Sequence, residues 1–206
     1  RVYPYNTIED LIFEEQETRF EIVDEMPWAS KTGISVDFPL KGIRSLYGAT
    51  KLAAEYILQE YANNYQIPAI INRFGVIAGP WQLGKVDQGV FTYWLANHYF
   101  KKPLNYIGYG GKGKQVRDLL HIDDLVNLII LQINAINKYR GQIFNAGGSS
   151  LSSLSLLETT KICENITGNK INIKAILENR PADLIWYKTD NYYTTKEFGW
   201  KPEKTA

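Results

Sequence analysis

A helix that runs straight into a buried strand constrains this chain more than any other feature. From about Tyr47 to Asn64 the period is helical. Leu52 and Tyr56, flanked by Ala53, Ile57 and Tyr61, form an apolar stripe against Lys51, Glu55, Gln59 and Glu60. Ser45 stands where an N-cap belongs. After Pro68, the run Ala69-Ile70-Ile71-Asn72-Arg73-Phe74-Gly75-Val76-Ile77 reads as one mostly buried strand, broken by Gly79-Pro80. Such a pair is the αβ half of a βαβ unit and predicts an α/β fold with a parallel sheet. Further on, the pattern predicts a helix over 89–101, a short strand over 104–107 and a strongly apolar helix over 122–136. Asp123 and Asp124 sit in the first turn of that last helix, where carboxylates oppose the helix dipole. A buried strand over 142–146 follows, then a helix capped at Ser152 or Ser153 that Gly168 ends, a strand over 171–176 and a short helix near 195–198. Residues 1–44 read as long surface excursions with one short helix.

Composition narrows the partners. The chain of 206 residues is 45% hydrophobic and 22% charged with a formal net charge of +1, so nothing draws it in bulk to nucleic acid or an anionic membrane. The single Cys163 excludes an internal disulfide framework, and His98 and His121 are too few and too far apart to make a metal site. No apolar run is long enough to span a bilayer and no signal peptide is visible. A soluble, cytoplasmic chain without metal, nucleic acid or membrane partner is expected.

Candidate chemistry centres on Tyr47 and Lys51, one helical turn apart just inside the first long helix. A lysine cation beside a phenol favours the phenolate, which makes the pair a proton-transfer device for a hydroxyl or carbonyl. Tyr192 and Lys196 repeat the spacing in a polar tail segment, so spacing alone does not decide. Gly108, Gly110 and Gly113 satisfy G-x-G-x-x-G, but the residues after them, Lys114 to Asp118, look extended. A dinucleotide fingerprint needs a helix there, so a glycine-rich hairpin or ligand loop is the better reading. Arg117 and Arg180 are the best anion-binding candidates, since a guanidinium fork matches two phosphate oxygens; taken singly, each reads better as a surface or ion-paired arginine.

The order of these motifs carries a resemblance. Tyr47-Gly48-Ala49-Thr50-Lys51, the strand with Arg73 and Gly79-Pro80, the run Gln115-Val116-Arg117-Asp118-Leu119-Leu120-His121-Ile122-Asp123-Asp124, Phe144-Asn145-Ala146-Gly147-Gly148, Arg180-Pro181-Ala182-Asp183 and Gly199-Trp200-Lys201-Pro202 follow one another. Together they resemble the extended short-chain dehydrogenase/reductase family of nucleotide-sugar epimerases and dehydratases. Asp87-Gln88-Gly89, Lys114 to Asp118 and Ser153 to Glu158 look most like its CDP-sugar 2-epimerase branch. The resemblance implies an α/β chain forming the C-terminal part of a Rossmann-type parallel sheet (residues 1–80 and 119–148) with a smaller α/β substrate-binding domain (residues 81–118 and 149–206). It implies Tyr47 as catalytic acid/base and Lys51 as its partner and holder of the nicotinamide ribose, with Phe74 also on the NAD side. Gln88, Gln115, Arg117, Arg180 and Asp183 fall on the side of the nucleotide-diphosphate sugar, while Asp118 and Asp124 brace loop and helix. A homodimer is implied as well. The chain departs from the family pattern where Val76-Ile77-Ala78 replaces Asn-Val-Tyr before Gly79-Pro80, and in a longer 108–114 loop. Arg1-Val2-Tyr3 resembles the segment that follows the family's catalytic Ser/Thr, so that hydroxyl and the glycine-rich NAD-binding half are expected before residue 1.

Overall fold

The computed structural model describes residues 2–85 and 88–206; Arg1 and Asp87 of the motifs above lie outside the described residues. The chain opens with α1 (Tyr5–Glu9) and two hairpins, β1 (Phe13–Glu15) with β2 (Phe20–Ile22) and β3 (Ala29–Ser30) with β4 (Gly33–Ile34). Expected as surface excursions, these residues instead build core. Tyr3, Ile8, Ile22, Ile34 and Phe38 are buried against Leu52, Val116, Leu184 and Trp186. Their apolar residues come singly in elements of two to five residues, too short to establish a period.

Helix α2 (Leu46–Asn64) starts where expected, because the Ser45 hydroxyl accepts the Gly48 N–H at 3.1 Å. Its buried face is not the expected stripe. Gly48, Leu52, Glu55 and Ala62 are buried, whereas Tyr56, Ile57 and Tyr61 are exposed. The reason is Arg73, whose buried guanidinium draws the Glu55 carboxylate inward to 2.7 Å.

The strand read as continuous over 69–77 is two strands in two sheets. β5 (Ala69–Phe74) and β6 (Val76–Ala78) part at Gly75, where a Cβ would meet the Asp118 carboxylate at 2.8 Å. Glycine alone leaves room for that carboxylate, so the chain can step past it. After α3 (Val90–Tyr99) and β7 (Leu104–Ile107), a short 3-10 turn over Tyr109–Gly111 leads into β8 (Val116–His121), with no helix after the third glycine. α4 (Ile122–Ala135) follows at once, and His121 Nδ1 caps it by accepting the Asp123 N–H at 3.1 Å. β9 (Arg140–Ala146) runs parallel to β5, and β8 is flanked by β6 in parallel and by β10 (Ser153–Ser155) antiparallel.

Because Ser153 to Ser155 pair with β8, α5 (Leu156–Thr167) begins later than expected and is capped by Ser155 rather than Ser152 or Ser153. Ser155 and Glu158 form a full capping box there. β11 (Ile173–Ile176) lies parallel to β7, β12 (Trp186–Tyr187) lies parallel to β8, and α6 (Tyr192–Phe198) ends at Gly199. The parallel pairs with intervening helices are the α/β class the sequence predicts. No helix among the described residues is long and apolar enough to cross a membrane.

Candidate active site

Two cavities meet at Val76 and Arg117, which line both. The first, a cleft of about 630 Å³, has one face of α2 along its side and β5 and β6 behind it. Tyr47, Lys51 and Glu55 follow one another at intervals of four residues along that face. Tyr47 stands 64% exposed at the helix start, and the Lys51 ammonium lies 5.4 Å from its ring centroid. Among the described residues Lys51 has no carboxylate within ion-pair distance. Glu55 is no exception, because Arg73 holds it: Nε and Nη2 both donate to its carboxylate, at 3.1 and 2.7 Å. Phe74 lines the same cleft.

Behind the cleft, Tyr3 fixes Arg73 from the other side. The guanidinium lies 4.9 Å from the Tyr3 ring centroid, and the Tyr3 hydroxyl donates to Asn145 Oδ1 at 2.6 Å. Burial pushes the Tyr3 phenol above its ordinary range, against the opposing pull of Arg73, so it stays a protonated donor. Of Tyr3 and Tyr47, Tyr47 is therefore the phenol open to a ligand. Tyr192 and Lys196 repeat the ring–ammonium geometry at 5.9 Å, yet neither lines either cavity.

The second cavity, about 290 Å³, lies between α3, β7, the strand β8 and the segment before β12. All five residues on the expected substrate side line it: Gln88, Gln115, Arg117, Arg180 and Asp183. Phe91, Tyr93, Trp94 and Leu104 line it as well. Trp94 stacks on Tyr106 at 5.8 Å between centroids, and both Trp94 Nε1 and the Tyr106 hydroxyl meet Thr160 Oγ1, at 2.8 and 2.7 Å. Arg117 is already engaged. Its Nη2 donates to Asp183 Oδ1 and to the Leu184 carbonyl, each at 2.7 Å, and Nη1 donates to the Val116 carbonyl. Asp183 is thereby a partner of Arg117 as well as a lining residue.

One residue beyond Arg117, Asp118 is fully buried and ties the two sheets together. Its Oδ2 accepts the N–H groups of Ser149 and Thr189, both at 3.1 Å, and its carboxylate packs against Gly75 and Gly147. Burial pushes its carboxyl up to about 6, although those N–H donors oppose the shift. Asp124 braces the chain end, accepting the N–H groups of Glu203 and Lys204.

The sequence reading missed Glu55, which the apolar stripe assigned to the solvent face, and Tyr3. For Glu55 a signal existed, since it repeats the four-residue step from Tyr47 to Lys51. For Tyr3 there was none: its partners are 70 and 142 residues away.

The cleft suits a dinucleotide's ribose and nicotinamide in its donor set, with an open phenol and an ammonium that has no carboxylate within ion-pair distance among the described residues. Comparison with known proteins agrees. Residues 27–147, more than half of the chain, match the NAD dependent epimerase/dehydratase family. CDP-paratose 2-epimerase of Salmonella typhi is 30% identical over 98% of this chain and 58% of its own length. UDP-glucuronate 4-epimerase of Thermodesulfobacterium geofontis is 28% identical over 82% of this chain and 48% of its own. Among solved structures, UDP-glucuronic acid 4-epimerase from Bacillus cereus, in complex with UDP-glucuronic acid and NAD, superposes with a TM-score of 0.72 at 26% identity. It covers 84% of this chain, which spans 52% of it. The chain thus spans about half to three fifths of the relatives it matches.

Proposed function

We propose a function from one premise: this chain belongs to the NAD-dependent epimerase/dehydratase family. It carries the proton-transfer pair and the substrate side of a nucleotide-sugar epimerase of the CDP-sugar 2-epimerase type. The reaction is a transient oxidation of a sugar hydroxyl to a ketone, followed by reduction from the opposite face. The observation that carries this reading is the meeting of the Tyr47–Lys51 cleft and the Arg117 cavity at Val76 and Arg117. A ligand with a diphosphate at one end and a sugar at the other spans such a junction.

In this reading, NAD bound in the cleft supplies the hydride acceptor and donor, held by Lys51, Tyr47 and Phe74. The Tyr47 phenolate takes the proton of the sugar hydroxyl and later returns it to the ketone oxygen. The Lys51 ammonium stabilises the phenolate before the first transfer and after the second. Arg117 and Arg180 bind the diphosphate through forked donors, while Gln88, Gln115 and Asp183 complete the nucleotide side. Residues 81–118 and 149–206 then form the substrate portion, and residues 1–80 and 119–148 the cofactor portion. The 2-epimerase type is favoured by the match to CDP-paratose 2-epimerase, which extends over 98% of the chain.

The test is Tyr47→Phe in the full-length protein. Turnover of a CDP-sugar is expected to vanish while its binding persists. Near-normal turnover would remove Tyr47 from the chemistry, and exchange of configuration at C4 rather than C2 of the sugar would move the chain to the 4-epimerases.

A further inference from the structure

We propose that Arg73 is a positioning residue for the proton-transfer pair: it keeps the Glu55 carboxylate away from Lys51, so that the Lys51 ammonium stays with Tyr47. The proposal rests on the Tyr47–Lys51 reading above and adds what protects that pair from a competitor on its own helix.

Lys51 has a partner within reach on either side. Tyr47 lies one turn before it and Glu55 one turn after it on the same face of α2, and all three line the cleft. An ammonium on a flexible four-carbon stem can turn to either neighbour. Glu55 is the stronger attraction, because a lysine and a glutamate at this spacing form a salt bridge, whereas a phenol carries no charge until it ionises. The ammonium nonetheless lies 5.4 Å from the Tyr47 ring centroid, and Glu55 pairs with Arg73 instead.

Arg73 accounts for this choice. Its Nε and Nη2 donate to the two oxygens of the Glu55 carboxylate, at 3.1 and 2.7 Å. Such a forked, charge-assisted bond outcompetes a single ammonium contact. The guanidinium is itself held against Tyr3, whose ring centroid is 4.9 Å away. The charged residues lining the cleft are Lys51, Glu55, Arg73 and Arg117, and Arg117 is engaged by Asp183 and the Leu184 carbonyl. The other titratable residues lining it are Tyr3, Tyr47 and Tyr187, while Asp118, which packs against Gly75, is fully buried. Glu55 is thus the one carboxylate lining the cleft among the described residues. With an apolar side chain in place of Arg73, Glu55 would be a charge only 8% exposed, with the Lys51 cation one turn away. A buried carboxylate without a partner is costly enough to draw that cation in. Lys51 would then be neutralised and turned away from Tyr47.

A lysine cation favours the phenolate, so the ionisation of Tyr47 reports where the ammonium is. It is read as phenolate absorbance in a pH titration of the full-length, NAD-loaded protein, each form differenced against its own Tyr47→Phe counterpart. Arg73→Met is expected to raise the titration midpoint by about one pH unit or more, as Lys51→Met does. Glu55→Gln breaks the same ion pair without freeing a carboxylate, and should not raise it. Combining Glu55→Gln with Arg73→Met should return the midpoint to the wild-type pH, a rescue that lost packing alone would not give. If Arg73→Met does not fold, Arg73→Lys, which meets Glu55 at one point only, should shift the midpoint in the same direction by less. An Arg73 variant that folds without moving the midpoint overturns the proposal. So does a midpoint that Glu55→Gln raises equally, or one that stays raised in the double variant. No substrate enters the titration, so these results leave the nucleotide-sugar reading standing. A midpoint that Lys51→Met fails to move overturns the proton-transfer pair itself, and the role of Arg73 with it.

Discussion

Glu55 and Arg73 form a two-point ion pair between α2 and β5, with the Arg73 side chain only 4% exposed and that of Glu55 10%. The pair sits one turn beyond Lys51 and two beyond Tyr47, so it fixes the rotation of the helix that presents them. Removing one partner strands the other as a buried charge, which costs about 3–5 kcal/mol. Glu55→Ala is expected to lower unfolding free energy by about that amount in urea titration. A loss below about 1 kcal/mol would show that water reaches Arg73 in its place.

Arg117 should respond differently from its partner. Arg117→Ala is expected to weaken nucleoside-diphosphate binding by about 1.5–3 kcal/mol, the scale of a lost charged hydrogen bond. Asp183→Asn keeps a hydrogen-bonding oxygen and removes the competing negative charge, so diphosphate affinity should hold or rise. Calorimetry that found equal losses in both variants would place Asp183 on the ligand itself.

Asp118 gives the fold a pH signature. Its carboxyl titrates at about 6 in the folded chain against 3.8 for an ordinary aspartate, because burial disfavours the charged form. Between those values the folded state binds more protons than the unfolded state, so the contribution of Asp118 to stability falls as pH rises from about 4 to about 6. The total is on the order of 2–3 kcal/mol. Glu158, held low despite burial by Arg19, Thr18 and the Ser155 N–H, works in the opposite sense and loses its contribution as acid protonates it. Comparing Asp118→Asn with wild type isolates the first effect. The stability difference should shift against wild type between pH 4 and 7, and a constant difference across that range would refute it.

A stacked pair of rings, of which Trp94 lines the Arg117 cavity, depends on one hydroxyl. Thr160→Val would deprive both Trp94 Nε1 and the Tyr106 hydroxyl of their partner. A cost of about 1–3 kcal/mol is expected in thermal or urea unfolding. A neutral outcome would mean that both groups find water instead.

How much of this was legible in the sequence depended on range. The helix around Tyr47 and its Ser45 cap are set by neighbours within a few residues, and so are α4 and its His121 start. The α/β class followed from the order of those elements. What failed had distant causes. Glu55 turned inward because of a cation 18 residues on, and the strand broke at Gly75 because a carboxylate 43 residues on occupies its side. Ser155 displaced the expected caps because β8 claimed Ser153 to Ser155 first. The site followed the same rule. Motif order grouped Tyr47 with Lys51 and Arg117 with Arg180, and the structure places them in adjoining cavities, but the Arg73–Tyr3–Asn145 support behind them has no local signature.

The break at Gly75 has a consequence for measurement of the ligand. β5 and β6 are one covalent run, and Val76, the residue after the break, lines both cavities together with Arg117. Asp118 is wedged against the joint between them. In the proposed reading the two strands act as a ruler between the anion anchor Arg117 and the phenol of Tyr47. The span from Arg117 to Tyr47 then sets which ring carbon of a tethered sugar reaches the phenol, and a substitution that fills Gly75 would change that reach without touching either residue.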